Sequence, residues 1–236
     1  MHHAVVDRWS SGHSLLHARD GRVKVLVCLG FLAAVATTPR LTALYAAGYG
    51  LAALAAVMVA RLPLGALLVR AAVVLPFSGT FALVSLLAGD SPRAVALLAK
   101  SYLSAVAVLI LVGSTPLPTI LRSLERLRAP RLVVLVVQFL YRYLFVISEQ
   151  AQHMRLAALS RGGWRFRLAA GAVAILFARS YARAEGVHRA MLARGFQGHL
   201  TLLAPVRADW RDGLLLAGGW ALIAFLRWGL EGVWSR

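Results

Sequence analysis

Long apolar runs alternate with short polar breaks, and the runs predict the elements. Residues 1–22 are polar and rich in His, Ser and Arg. Val23 to Val35 is apolar and is closed by Thr37-Thr38-Pro39-Arg40. A second run, Leu41 to Ala60, holds twenty residues without a charge, enough at helical rise to span a hydrocarbon core of ~30 Å. Arg61-Leu62-Pro63 ends it. A third run, Leu64 to Ala88, contains Arg70 and Pro76, and the proline predicts a kink that neighbouring helices tolerate. Gly89-Asp90-Ser91-Pro92 reads as a turn. A fourth run, Ala94 to Val112, carries Lys100 near its start, where a lysine can snorkel to the interface. The last run, Gly213 to Leu230, has Arg227 near its end. Trp210, Trp220, Trp228 and Trp234 lie along and around it, as in the aromatic belts of membrane spans.

Between the fourth and last runs the pattern changes. Pro116 and Pro118 suit a helix start, and Leu117 to Arg128 predicts a short amphipathic helix. After Pro130 no proline or glycine occurs until Gly162, leaving room for a helix of about thirty residues, ~45 Å long. Its first half is very apolar (Leu132 to Leu140). Its second half carries Arg142, Glu149, Gln152, His153 and Arg155. A second long helix can run from Trp164 to Arg194. Phe166, Ala170, Val173, Phe177, Tyr181, Ala184, His188 and Met191 predict one apolar stripe along it. Arg179 and Arg183 stack four apart elsewhere on this helix, and Glu185 pairs with Arg189 in the favourable order. Each long helix ends in a small residue, an arginine and a glycine: Ser160-Arg161-Gly162 and Ala193-Arg194-Gly195. Such an arginine can simply offset the helix dipole, worth about 0.3–1 kcal/mol. It can also project from the tip into an acidic groove on a partner, where its planar fork holds a carboxylate at two points.

Charge orients these elements. The 236 residues carry 26 Lys+Arg against nine Asp+Glu, a net charge of +17, and fifteen of the basic residues fall in 116–212. Basic residues also precede the first run and lie between the second and third. These alternate loops are expected to be cytoplasmic, which five spans and a cytoplasmic N-terminus satisfy. The expected organisation is a cytoplasmic N-terminal segment (1–22), transmembrane helices 1–4 (23–115), a basic cytoplasmic coupling-helix domain (116–212) and a C-terminal transmembrane helix (213–236). The fold class is an all-α integral membrane protein with about five transmembrane helices plus a cytoplasmic domain of long amphipathic helices.

Composition narrows the function. The chain is 60% hydrophobic and 15% charged, more apolar than soluble domains. The basic excess lacks any nucleic-acid-binding module, so no nucleic-acid partner is expected. One cysteine, Cys28, excludes a disulfide framework and a cysteine-based zinc site within the chain. No phosphate loop, nucleophile elbow or H-E-x-x-H is present, so ATP binding would belong to a partner. No carboxylates pair within the apolar runs, which argues against magnesium-dependent membrane enzymes and proton relays. His3 lies third from the amine of Met1, a geometry able to chelate copper or nickel, and His13 and His17 lie four apart. Without a defined set of supporting partners, a solvated polar tail is the preferred reading. No cofactor, metal site or catalytic residue is expected. The small residues of the second run (Ala46, Ala47, Gly48, Gly50, Ala52, Ala53, Ala55 and Ala56) fit close helix packing or simple apolar filler equally well.

The two small–Arg–Gly triplets resemble the paired Ala-Arg-Gly signatures of the transmembrane T component of energy-coupling-factor importers. Leu176 to Glu185, continued by Ala190 to Gly198, resembles the CbiQ branch, which serves cobalt uptake. So do Leu16-His17-Ala18-Arg19-Asp20-Gly21-Arg22-Val23-Lys24 and Tyr141-Arg142-Tyr143. The resemblance covers nearly the whole chain. Ser160 stands where alanine is usual, and Gly21 where the branch often has proline. The resemblance implies a non-catalytic coupling subunit in the bacterial inner membrane with two cytoplasmic ABC ATPases. It also implies a CbiM-like substrate-binding membrane subunit, alone or with a small CbiN-like subunit. Ser160, Arg161, Gly162, Ala193, Arg194 and Gly195 would engage the ATPases, supported by Arg179, Arg183, Glu185 and Arg189. The competing class is a membrane-bound enzyme or free-standing channel with a basic cytoplasmic domain.

Overall fold

The computed structural model describes residues 19–38, 43–160, 166–198 and 210–229. Every element among them is helical: α1 (Gly21–Thr37), α2 (Ala43–Ala60), α3 (Leu64–Ala71), α4 (Leu75–Leu87), α5 (Ser91–Ser114), α6 (Leu117–Arg126), α7 (Arg131–Ser160), α8 (Phe166–Ala193) and α9 (Trp210–Ala224). The chain forms two compact units, one from Met1–Ser123 with Val206–Arg236 and one from Leu124–Pro205.

In the first unit the apolar runs become helices that bury a narrow stripe and leave the rest outward. Tyr45, Tyr49, Ala53, Val57 and Ala60 recur at spacings of three and four on α2 and face inward. Leu51, Met58, Val73, Phe77 and Leu87 are largely exposed. A soluble protein does not present so much contiguous apolar surface, and a bilayer covers it. One core joins α2, α3 and α5 through Val57, Leu67, Val106 and Ile110. A second joins α1, α2, α5 and the end of α9 through Val35, Tyr49, Leu103 and Ile223. The small residues of the second run divide. Ala53 is buried with Ala52 against the core, whereas Gly50 has open space before it. Small residues also let α1 and α9 approach closely. A Cβ on Gly219 would meet Val27 at 2.9 Å, and one on Gly30 would meet Trp220 at 3.3 Å, the small-residue packing that holds membrane helices together.

The breaks have local causes. Ala72–Val74 forms a 3₁₀ turn between α3 and α4, and Pro76 sits in the first turn of α4, where its missing N–H costs no helical bond. Gly89, at φ 82°, ends α4: its N–H donates to the Leu86 carbonyl and that of Asp90 to Ser85. Asp90 then caps α5 by accepting from the Arg93 N–H at 3.0 Å.

Leu64–Leu87, Ser91–Ser114 and Arg131–Ser160 are long and apolar enough to cross a membrane, and Leu44–Ala60 is a shorter apolar helix. With its helices and its outward apolar faces, this is an all-α membrane protein. The helix α7, expected in the cytoplasmic domain, is thus long and apolar enough to span, though less apolar than α5, because residues 132–140 are almost all Leu, Val and Phe.

Lys100, expected to snorkel to the interface, has defined partners within the chain. Its Nζ donates to the Ala36 carbonyl at 3.1 Å and the Thr38 carbonyl at 2.6 Å, closing the C-terminal end of α1. Lys24 does the same for α5, donating to the Ser114 carbonyl and to Thr115 Oγ1, each at 3.1 Å. Each helix supplies the cation that satisfies the other's terminal carbonyls.

Candidate functional site

The second unit is built on α7 and α8. From Ser160 to Phe166 the chain can reach at most ~22 Å. A parallel return alongside the thirty-residue α7 would need ~45 Å. The two helices therefore form a hairpin in which α8 runs back along α7. A groove of about 440 Å³ lies between them. Phe139, Tyr143 and Val146 line it from α7, and Arg183, Val187 and Met191 from α8. Phe139 stacks on Tyr143 with ring centroids 6.3 Å apart, and the Arg142 guanidinium lies 5.9 Å from the Tyr143 centroid. Of the Tyr141-Arg142-Tyr143 stretch, Tyr143 lines the groove.

The expected stripe on α8 is only partly the packed one. Val173, Phe177 and Tyr181 are about two-thirds or more exposed. The half-buried side is centred on Leu176, Ser180, Val187 and Met191, displaced around the helix. The side chains of Phe166 and Ala170 lie outside the described residues. Only Ala184, His188 and Met191 of the stripe line the groove.

The second triplet has a defined geometry. Gly195, at φ 75°, donates its N–H to the Leu192 carbonyl at 3.0 Å, and the Phe196 N–H donates to the Met191 carbonyl at 3.0 Å. This is a Schellman cap, and Met191 and Phe196 at its two ends both line the groove. Arg194 occupies the cap position with its side chain exposed. Glycine is required beside it, because an L side chain in the left-handed region is strained. Gly195→Ala is expected to cost about 1 kcal/mol and to fray the last turn of α8. Faster amide exchange at Phe196 would report it, and unchanged exchange would count against the cap.

The first triplet is only partly described. Ser160 ends α7, its Oγ donating to the Ala157 carbonyl at 2.9 Å. Arg161 and Gly162 lie outside the described residues, as do the N-terminal histidines. Glu185 and Arg189 form the expected ion pair on the exposed face of α8. Arg179 is exposed, and Arg183 borders the groove. These residues do not converge on one centre. In the hairpin, the ends of α7 and α8 lie most of a helix length apart.

Sequence reading missed a buried polar knot in the first unit. Asp20, Lys24, Ser114, Thr115 and Asp212 are each under 10% exposed. The Asp20 N–H donates to Asp212 Oδ1 at 3.3 Å across 192 residues of sequence. Asp20 also caps α1 by accepting from the Arg22 N–H at 3.1 Å. The charge of Lys24 is opposed by Asp20 and Asp212. Only an unusual pairing of charges beside apolar runs could have signalled this knot, and Lys24 reads as one more loop cation.

The outward apolar faces and the helix hairpin define an all-α membrane protein. The family described as cobalt transport protein, CbiQ, matches residues 12–203, and the chain belongs to that family. It is 29% identical over 219 residues to the cobalt transport protein CbiQ of Rhodobacter capsulatus, covering 85% of this chain and 89% of that protein. It is 28% identical over 121 residues to the nickel permease LarQ of Lactiplantibacillus plantarum, covering 48% and 44%. An uncharacterized protein of Methanocaldococcus jannaschii is 27% identical over 42% of this chain and 39% of its own length.

Proposed function

We propose that the chain is the coupling and scaffold subunit of an energy-coupling-factor ABC importer for cobalt(II), in the bacterial inner membrane with its N-terminus cytoplasmic. Two cytoplasmic ABC ATPases hydrolyse ATP. The chain passes their closure to a CbiM-like substrate-binding membrane subunit, alone or with a CbiN-like one. The observation that carries this reading is the helix end at Arg194, where a Schellman cap presents an exposed arginine at the C-terminal tip of α8. The sequence repeats the same triplet at Arg161, after the other hairpin helix.

Charge placement in the hairpin supports a surface rather than a spanning position. The apolar half of α7 runs beside the half of α8 that holds Arg179, Arg183, Glu185, Arg189 and Arg194. Inserting α7 across the bilayer would carry these charges with it, and each arginine near the centre costs about 2.5–3.5 kcal/mol or more. A hairpin lying along the cytoplasmic face buries its apolar side and keeps its tips in water. Cobalt is preferred over nickel as cargo because the cobalt relative matches along nearly the whole chain and the nickel relative along half.

The test is co-expression with an ABC ATPase pair and a CbiM-like subunit. All are expected to co-purify with the chain, and vesicles holding them are expected to take up Co²⁺ only with ATP. A chain that inserts in the membrane but captures no ATPase would overturn the proposal.

A further inference from the structure

We propose that Asp20, Gly21 and Lys24, with Ser123 and Asp212, form the anchor through which movement of the coupling hairpin enters the membrane bundle; this rests on the coupling reading above. The hairpin unit is inserted into the chain between Ser123 and Val206. The helix α6, which leads into it, and Asp212, in the first turn of α9 after it, meet the same turn of α1. On the entering side, α6 presses on Gly21. A Cβ there would meet Ser123 Oγ at 2.4 Å and the Thr119 methyl at 3.2 Å. Ser123 is itself fixed by donating to the Thr119 carbonyl at 2.8 Å. On the leaving side, Asp212 accepts from the Asp20 N–H at 3.3 Å. Lys24, one turn further along α1, ties this turn to the end of α5 through Ser114 and Thr115.

The chemistry suits a rigid joint. All five polar groups are buried: Asp20 8%, Lys24 6%, Ser123 3%, Asp212 5% and Thr115 1% exposed. Buried polar groups are costly to part from their partners, so the knot moves as one body. A push or pull arriving through α6 is delivered to the cytoplasmic ends of α1 and α5. These are positioning residues: they touch neither nucleotide nor cargo.

Gly21→Ala and Asp212→Asn test this in the complete importer, reconstituted in vesicles with Co²⁺ as the probe. Gly21→Ala wedges α6 away from α1. Asp212→Asn keeps the hydrogen-bond acceptor and removes the charge facing Lys24. Both variants are expected to retain the ATPases and their hydrolysis, while Co²⁺ imported per ATP falls about tenfold. Ser123→Ala placed on Gly21→Ala is expected to recover part of that ratio, because it removes the nearest atom in the clash. An unchanged ratio in either variant overturns the anchor. So does failure of both to insert, which would make the knot a folding element only. Loss of ATPase capture by the wild-type chain, in contrast, would strike the coupling proposal itself.

Discussion

Reversing both tip charges, Arg161→Glu with Arg194→Glu, is expected to strip the ATPases from the complex while leaving the chain in the membrane. A guanidinium seated in an acidic groove makes two parallel charge-assisted bonds. Truncating one partner of such a pair costs about 2–5 kcal/mol, and a glutamate adds repulsion. That is roughly thirtyfold or more in affinity per tip. Each single reversal leaves one tip engaged, so the complex weakens and still forms. The double reversal removes both attachments and the avidity between them, and the loss exceeds either single effect by far. Arg194→Lys separates fork from charge: it keeps the cation, loses the bidentate geometry and should fall between wild type and Arg194→Glu. Membrane insertion is the control and co-purified ATPase the readout. If all versions hold the ATPase equally, the arginines are dipole caps worth only about 0.3–1 kcal/mol, and the tips are not anchors.

What the sequence made legible follows the range of the interaction. The runs, the Gly89 turn and the break at Pro76 are written in neighbouring residues, and each appears where the pattern predicts it. The helix end at Gly195 is equally local, since glycine after arginine signals the cap that forms. Features made by distant partners were not legible. The partners of Lys100, 62 and 64 residues earlier in the chain, could not be read from its neighbourhood. Which part of the α8 stripe packs on α7 was not legible, because periodicity gives the apolar side without saying where the neighbouring helix lies. The small residues of the second run left packing and filler open for a similar reason, and they divide between the two. Alanine and glycine mark close approach only where a neighbouring helix arrives, as the side chains of one do at Gly30 and Gly219.

Lys24→Met is expected to be among the most destabilising single changes in the bundle, by about 3–5 kcal/mol. Methionine fills a similar volume, so the cost is electrostatic. It leaves the Asp20 and Asp212 carboxylates, 8% and 5% exposed, without the opposing Lys24 charge, and removes the donor from the Ser114 carbonyl. At about 2–4 °C per kcal/mol for a chain of this size, the melting temperature in detergent should fall on the order of 10 °C. Lys100→Met is the comparison. It removes bonds to two carbonyls but strands no carboxylate, and its site is less buried. Its cost should stay near the ~1.5–3 kcal/mol of a charged hydrogen bond. Asp212→Asn added to Lys24→Met decides the cause. If Lys24 works by neutralising Asp212, removing the stranded charge recovers part of the loss and the two changes are not additive. Strict additivity, or equal losses for the two lysines, would mean that Lys24 serves only the end of α5 and that the carboxylates are satisfied without it.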